Sequence, residues 1–271
     1  MKNEFKMCAL ALVLAGGAMA GTLAPAGQTP ARKAPAPKSQ AESDALKTMF
    51  QAATPDAQIA AAEDFVVKFP QSDYKALAYL GEAQSYQQKN DYDHLVVAGE
   101  QALESDPDDG TKVQTLLILA RAIAIKTGEF DLDREEKLTK VEKYAGTAIE
   151  MLRTMPKPNP ALPDAQWEAA KADLTGQGHE ALGLDQMVRK DYDKAIVEFK
   201  AASETPNADP SFGVRLAAAY DKAGKYDEAV AACDKVLAAA NLHPMVKRAA
   251  EAEKAQALKL KSSTAPVAAK P

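Results

Sequence analysis

Two copies of one pattern lie 34 residues apart near the C-terminal end of the chain. The first copy occupies residues 179–202 and the second occupies residues 213–236. Equivalent positions carry side chains of matching kind: Leu182 and Leu216, Gly183 and Ala217, Tyr192 and Tyr226, Ala195 and Ala229, Phe199 and Cys233. A period of this length, made of two helical stretches without a strand pattern, is typical of stacked helix pairs in which each pair packs on its neighbours.

The composition favours helices throughout. The chain has 271 residues, of which 46% are hydrophobic and only 6% aromatic, and alanine is abundant in runs flanked by polar residues. Alanine has the most favourable helix propensity because its side chain loses no rotamer freedom. Charged residues make up 26% of the chain and the mean hydropathy is −0.31, which is ordinary for a water-soluble protein. These features predict an all-α fold.

The N-terminal segment 1–20 has the pattern of a signal peptide. Lys2 and Lys6 precede an apolar run, and the run ends in the small residues around Ala20 that a leader peptidase requires. It is too short to cross a hydrocarbon core of about 30 Å comfortably. We therefore expect cleavage after Ala20 and a periplasmic or secreted location. Retention of the leader as a membrane anchor is the alternative.

The remaining chain divides into three parts by composition. Residues 21–40 are rich in proline and alanine and are predicted to form a disordered linker, since proline interrupts helix and strand alike. Residues 41–261 carry the helical patterns, and residues 262–271 form a disordered tail. The net charge of −5 disfavours nucleic acid as a partner, because phosphates attract a concentrated basic surface. No stable membrane insertion is expected after the leader is cleaved.

The repeat period predicts about five helix pairs in residues 41–261, followed by a closing helix. Breaking and capping residues mark the boundaries, among them Pro70, Pro107, Gly128 and the dipeptide Asp209-Pro210. In the third pair, about ten mostly charged residues intrude between the two helices. Outside the two aligned copies, the predicted helical segments are 43–52, 55–69, two helices within 76–107, 113–127, 138–155, 163–189 and 244–261.

Small and bulky residues follow a fixed order in the aligned copies. In the first copy the series is Leu182-Gly183, Tyr192, Ala195, Phe199, Ala202. In the second copy it is Leu216-Ala217, Tyr220, Gly224, Tyr226, Ala229. This order resembles the tetratricopeptide repeat. The resemblance is strongest over 76–107 and 176–241 and weaker over 42–70 and 113–155. It implies an α-solenoid of about five stacked antiparallel helix pairs with a C-terminal closing helix.

One crossing departs from the order of the repeat. Leu95 stands where the repeat has a small residue, and Gly99 stands where it has a large one. Two antiparallel helices approach closely only where the side chains at their crossing are small. We therefore interpret these residues as an exchange of size across one crossing.

The resemblance also implies a binding surface, because the first helix of each tetratricopeptide pair lines a concave groove. The residues expected to be exposed in this groove are Leu80, Gln84, Gln87, Glu180, Leu184, Met187, Arg215 and Asp221. Ordinary helix surface or packing between repeats is the alternative for each of them. The lysine and asparagine cluster with which some family members hold a terminal carboxylate does not occur at these positions. The groove is therefore expected to bind a helix or an extended segment through apolar and amide groups.

Two motifs suggest other chemistry but lack an essential element. Residues 176–181 fit the dinucleotide string G-x-G-x-x-A, but the string lies in a helical context without a preceding strand. A zinc peptidase helix would require a second histidine four residues after His179, where Gly183 stands. We predict neither a nucleotide site nor a zinc site.

A calcium loop and a reactive thiol are two further candidates for a functional site. Asp131, Asp133 and Glu135 have the spacing of an EF-hand loop, but Glu136 replaces the glycine on which the turn of that loop depends. A solvated charged insertion is the preferred interpretation, with calcium binding as the alternative. Cys233 takes the place of the phenylalanine inside a repeat and is predicted to be an inert core residue.

The sequence thus favours an exported, non-enzymatic scaffold of the cell envelope that binds a protein or peptide in the groove of a tetratricopeptide array. No catalytic residue, metal ligand or cofactor is predicted. The alternative hypothesis is a cell-envelope glycan or small-molecule binding protein with weak hydrolase activity. That function would require a concave pocket with convergent carboxylates around Glu180 and Asp221.

Overall fold

The computed structural model describes residues 35–264, which contain eleven α-helices and no strand. The helices are α1 (Gln40–Phe50), α2 (Pro55–Lys68), α3 (Lys75–Gln88), α4 (Tyr92–Glu104), α5 (Asp109–Lys126), α6 (Arg134–Thr154), α7 (Asp164–Arg189), α8 (Tyr192–Ser203), α9 (Pro210–Lys222), α10 (Tyr226–Leu237) and α11 (Pro244–Thr264). Residues 1–34 and 265–271 lie outside the described residues. The predicted signal peptide, its cleavage site, most of the linker and most of the tail therefore lie outside them as well.

Consecutive helices form five packed pairs, α1–α2, α3–α4, α5–α6, α7–α8 and α9–α10. The closing helix α11 packs on both α9 and α10. Each pair also packs on the next one along the chain, through contacts such as α2 with α3 and α8 with α9. The predicted all-α solenoid of about five helix pairs with a closing helix is confirmed.

Local capping chemistry sets where the pairs turn. Asp91 and Asp191 each precede the second helix of a pair and accept a hydrogen bond from a backbone N–H in its first turn. The preceding residues Asn90 and Lys190 adopt left-handed backbone conformations, with φ of 57° and 64°. A left-handed residue followed by an N-cap reverses the chain within two or three residues, so the paired helices lie side by side.

Glycine and alanine occupy the helix crossings, as the repeat order predicted. A Cβ atom added to Gly183 would lie 2.6 Å from the ring of Phe199. Ala195 is fully buried beside the same ring, in the cluster that joins α8 to α9. The exchange of size at Leu95 and Gly99 is also present, since the side chain of Leu119 from the next pair fills the space over Gly99. Shape complementarity of this kind fixes how closely neighbouring helices approach.

Several helices begin earlier than predicted. α1 begins at Gln40 because the side chain of Ser39 accepts a hydrogen bond from the Glu42 N–H. α6 begins at Arg134, four residues before the predicted start, with Glu135 and Glu136 in its first turn. Acidic residues are favourable at a helix N-terminus but carry no hydrophobic periodicity, so the apolar pattern placed the start too late. The connection between α5 and α6 therefore has seven residues, 127–133, fewer than predicted.

Candidate functional site

Several first helices of neighbouring pairs pack against one another on one side of the array, whereas α7 and α9 approach mainly through the side chains of Glu180 and Arg215. α5 packs on both α3 and α7, and α11 packs on α9. Second helices of neighbouring pairs make no comparable contact within residues 35–264. The array is therefore tighter on the side of its first helices, and polar residues from successive pairs meet there. We call this side, formed by α3, α5, α7, α9 and α11, the inner face.

An ion-paired triad joins three successive first helices on the inner face. Glu180 of α7 is almost fully buried, with 2% of its surface exposed. Arg121 of α5 donates its Nε–H to this carboxylate, with distances of 3.0 Å to Oε2 and 3.3 Å to Oε1. The Nε of Arg215 on α9 lies 2.9 Å from Glu180 Oε1 in an ion pair, but its N–H is not aligned to donate a hydrogen bond to that oxygen. We call these three residues the arginine–glutamate triad.

The triad has more positive than negative charge. Two guanidinium groups share one carboxylate, and each guanidinium has five N–H donors of which Glu180 engages only a part. The side chains of Arg121 and Arg215 are 34% and 29% exposed, so both reach solvent beside a buried acid. A buried carboxylate is stabilised only when it is paired and hydrogen-bonded. Glu180 therefore holds the two arginines in place, and their remaining donors can contact an anionic group.

A second polar contact lies toward the closing helix. Asp221 of α9 is buried and accepts a 2.8 Å hydrogen bond from the side-chain amide of Gln256 on α11. Its other carboxylate oxygen is buried without a hydrogen-bond partner among the described residues. Burial, together with the nearby charge of Asp221, raises the pKa of Glu253 on α11. Acidic groups thus accumulate where α9 meets α11.

A third network ties α7 to α6. Asp185 is fully buried, and one of its oxygens accepts a 3.0 Å hydrogen bond from Arg189, one turn later on α7. Arg189 also contacts Glu135 at 2.6 Å and Glu142 at 3.4 Å on α6. Burial raises the pKa of Asp185 to about 6, although the hydrogen bond from Arg189 opposes the shift. This pair was not predicted, although the i, i+4 spacing of Asp185 and Arg189 could have indicated it.

Three of the predicted groove residues are not exposed. Leu80 is 2% exposed and belongs to a core cluster with Leu95 and Leu119, because its side of α3 faces α4 and α5. Glu180 and Asp221 are buried in the polar contacts between first helices that are described above. The prediction of exposure is wrong for these three residues, and packing between helices is the correct alternative.

The other five predicted groove residues retain partial exposure. Leu184 and Met187 are half-buried against the core cluster between α8 and α9. Gln84, Gln87 and Arg215 are also partly exposed on their first helices. A role for these residues in binding stays a prediction. Arg121 was not predicted, although a single charged residue within the apolar run of α5 could have indicated it.

The glycine string 176–181 lies in the middle of α7 and serves helix packing. A Cβ atom at Gly176 would lie 2.9 Å from Thr205, and one at Gly178 would lie 2.8 Å from Ile149. A dinucleotide fingerprint instead places its glycines in the turn between a strand and a helix. The close approach of neighbouring helices accounts for both glycines.

The charged insertion is held together by its own ion pairs. Asp131 accepts hydrogen bonds from the Gly128 N–H at 3.1 Å and from Lys137 at 2.9 Å. Lys137 also contacts Asp133 at 2.9 Å. The hydrogen bond from Lys137 is the main cause of the lowered pKa of Asp131. In residues 35–264, no group of three or more histidine, cysteine, aspartate or glutamate side chains has an arrangement that could hold a metal ion.

Cys233 is a core residue, as predicted. It is fully buried in α10, and burial together with the charge of Glu253 raises the pKa of its thiol to about 11. Thiolate chemistry requires a lowered pKa and access to solvent, and this thiol has neither.

Two surface depressions lie on the described part of the chain. One, of about 520 Å³, lies at the turn between α7 and α8 and is lined mainly by charged residues including Arg189, Lys190 and Lys222. The other, of about 460 Å³, lies over Gly146 and Met151 of α6. Both are shallow and open, and neither is lined by Glu180 or Asp221.

Comparisons with known proteins support the repeat assignment. A tetratricopeptide repeat family model matches residues 189–254, which cover the end of α7 to the first half of α11. No curated protein matches the chain. Among the described residues, no helix has the length and apolar character needed to span a membrane. Tetratricopeptide repeats generally mediate protein–protein interaction and are typically non-enzymatic. The chain is therefore an all-α protein of stacked helix pairs that is similar to the tetratricopeptide repeat over residues 189–254.

Proposed function

We propose that the chain is a non-enzymatic scaffold whose inner face binds a segment of a partner protein, and that an acidic group of this segment contacts Arg121 and Arg215. The observation that carries the proposal is the sharing of one buried carboxylate by two partly exposed guanidinium groups. The partner is identified here only by its chemistry, a peptide segment with an acidic side chain or terminus.

The energetics of the triad favour such a ligand. Hydrogen bonds between guanidinium and carboxylate groups are charge-assisted and about twice as strong as neutral ones. Arg121 and Arg215 are already held by Glu180, so little side-chain freedom is lost when an anion binds. Leu184 and Met187 lie on α7, the central helix of the triad, and supply adjacent apolar surface. A segment with one acidic group and neighbouring apolar side chains fits this combination.

The glycan or small-molecule alternative has less support. It requires convergent, available carboxylates in a concave pocket. Glu180 is engaged by two arginines, and Asp221 is engaged by Gln256 on a different helix.

We also propose that the scaffold is exported and acts in the cell envelope. Support for this proposal comes from the leader pattern of residues 1–20 and the Pro/Ala-rich stretch that follows. N-terminal sequencing of the protein isolated from its native cell tests it. A mature chain that begins at Gly21 is expected, whereas a chain that begins at Met1 would support the retained anchor.

The binding proposal is tested with two synthetic peptides that differ only in replacement of every glutamate by glutamine. Fluorescence anisotropy measures their binding to the wild-type protein and to two variants. In the triple variant R121Q/E180Q/R215Q all three charges are lost while the side-chain sizes are nearly kept, so no buried charge remains unpaired. In Glu180→Gln only the competing negative charge is lost.

The wild-type protein is expected to bind the peptide with glutamate more tightly than the peptide in which glutamine replaces every glutamate. The triple variant should remove this preference, and Glu180→Gln should increase it, since the arginines then lack their internal counter-ion. A preference for the acidic peptide that survives in the triple variant would disprove the role of the triad.

A further inference from the structure

The connection between α5 and α6 differs from the connections within the other four pairs. It has seven residues, 127–133, whereas the others have two to four. It carries two large apolar side chains in solvent, Phe130 with 88% of its surface exposed and Leu132 fully exposed. The connections within the other pairs carry only alanine, glycine and polar residues. We call residues 127–133 the α5–α6 loop.

Ion pairs on both sides of Phe130 connect the α5–α6 loop to α6 and to the α7–α8 turn. Asp131 accepts hydrogen bonds from the Gly128 N–H and from Lys137, and Lys137 also contacts Asp133. The neighbouring pair contributes a further contact, between Lys190 in the α7–α8 turn and Glu129. The acidic residues alternate with the apolar ones, so the carboxylates of Asp131 and Asp133 engage Lys137 while Phe130 and Leu132 remain in water.

The exposed apolar side chains of the α5–α6 loop are suited to binding a partner. Phe130 and Leu132 add almost nothing to the packing of this chain, because nearly all of their surface is exposed. Burying such side chains in a partner is favourable at roughly 25 cal/mol per Å² of apolar surface. The ion pairs and the hydrogen bond from the Gly128 N–H restrict the backbone that carries them, which lowers the entropic cost of binding.

The charge around the loop indicates the chemistry of the partner. Residues 128–137 contain five carboxylates and two cationic side chains, and Lys190 and Arg189 pair with Glu129 and Glu135, so the surface around the loop keeps a small excess of negative charge. Such a surface repels anionic lipid headgroups, which attract clusters of lysine and arginine instead. It also disfavours a second copy of this chain, whose net charge is −5. A protein surface with apolar side chains bordered by lysine or arginine is complementary to it.

We propose that the α5–α6 loop is a second docking surface, and that it inserts Phe130 and Leu132 into an apolar patch bordered by basic residues on a partner protein. This surface lies on the connection between the helices of the third pair and uses none of the residues of the arginine–glutamate triad. A scaffold with two separate surfaces can hold two partners together, or hold one partner at two points.

Two short amphipathic helical peptides provide the test. One has a leucine face bordered by lysine, and the other has the same leucine face bordered by glutamate. Fluorescence anisotropy at physiological ionic strength compares the wild-type protein with F130S/L132S, in which every charge of the loop is kept. The matched control is Val97→Ser on α4, which removes an apolar side chain of 57% exposure at a different place.

The Leu/Lys peptide is expected to bind the wild-type protein, and F130S/L132S should weaken this binding about tenfold or more, as for anchor residues of an interface. Val97→Ser and the triple variant of the triad should bind it as the wild-type protein does, and the Leu/Glu peptide should not bind. Circular dichroism should show the same thermal midpoint for F130S/L132S and wild type.

Three results would overturn the proposal. The first is failure of the Leu/Lys peptide to bind, or its equal binding by F130S/L132S. The second is loop-dependent binding to vesicles of phosphatidylcholine and phosphatidylglycerol, which would identify a membrane as the occupant. The third is loop-dependent self-association in sedimentation velocity, which would identify a second copy of the chain.

Discussion

Ionisation of Glu82 should oppose folding at neutral and alkaline pH. Its side chain lies on α3, is 8% exposed and has no salt bridge within the described residues. Burial, with a smaller contribution from the like charge of Glu63, raises its pKa from the usual 4.5 to about 7, and His94 opposes part of this shift. The folded protein therefore binds the Glu82 proton more tightly than the unfolded chain does.

The size and direction of the effect follow from linkage between proton binding and folding. A pKa raised from 4.5 to about 7 corresponds to roughly 3 kcal/mol between the two protonation states. This stabilisation by protonated Glu82 is fully present below pH 4.5 and is lost as the pH rises to about 7. Above that pH the fold contains a buried charge that the unfolded chain leaves in water.

Glu82→Gln tests this reasoning because it removes the charge and nearly keeps the shape. Urea unfolding followed by circular dichroism gives the free energy of unfolding from pH 4 to pH 8. We expect the variant to be more stable than wild type by about 1 to 3 kcal/mol at pH 8, and we expect the difference to vanish near pH 4. The lower figure applies if the buried amide of the glutamine lacks hydrogen-bond partners, which costs part of the gain. The matched control is Glu104→Gln, an exposed glutamate of α4. A difference between Glu82→Gln and wild type that is the same at pH 4 and pH 8 would refute the assignment.

Three further outcomes are expected. Gly183→Ala should lower the free energy of unfolding by about 1 to 3 kcal/mol, because the added Cβ would meet the ring of Phe199. Gly146→Ala has open space around it and should raise the free energy of unfolding by up to about 1 kcal/mol. Equal effects of these two substitutions in urea unfolding would contradict the crossing geometry. Ala195→Leu should overfill its crossing and cost about 1 to 3 kcal/mol, while Ala252→Leu on the exposed side of α11 should leave the thermal midpoint almost unchanged. The second cysteine of the chain, Cys8, lies in the predicted signal peptide and is replaced by serine for a labelling experiment. Maleimide should then label Cys233 at pH 7 at least about a hundredfold more slowly in the folded protein than in urea, since the thiol is buried and its pKa is raised to about 11. Comparable rates would mean that α10 opens readily.

The sequence by itself determined the helices and their order of packing. The small residues Gly183 and Ala195 have small counterparts one period later, Phe199 has the apolar Cys233, and each belongs to a contact within one pair or with the next pair. Such contacts join residues that are close in sequence, so a local pattern is sufficient to predict them. The break signals at Pro70 and Pro107 were equally local. The start of α6 was placed too late because charged first-turn residues lack an apolar period.

Only the tertiary structure decided which polar residues meet on the inner face. Arg121 and Glu180 are 59 residues apart, and their contact depends on how α5, α7 and α9 are rotated against one another. Adjacent positions on a helix differ by about 100° around its axis, so a small rotation exchanges a groove position for a buried one. This is why Leu80 and Asp221 were predicted to be exposed and are buried. The repeat period fixes the spacing of the helices along the chain, whereas the packing of side chains between pairs fixes which face of each helix reaches solvent.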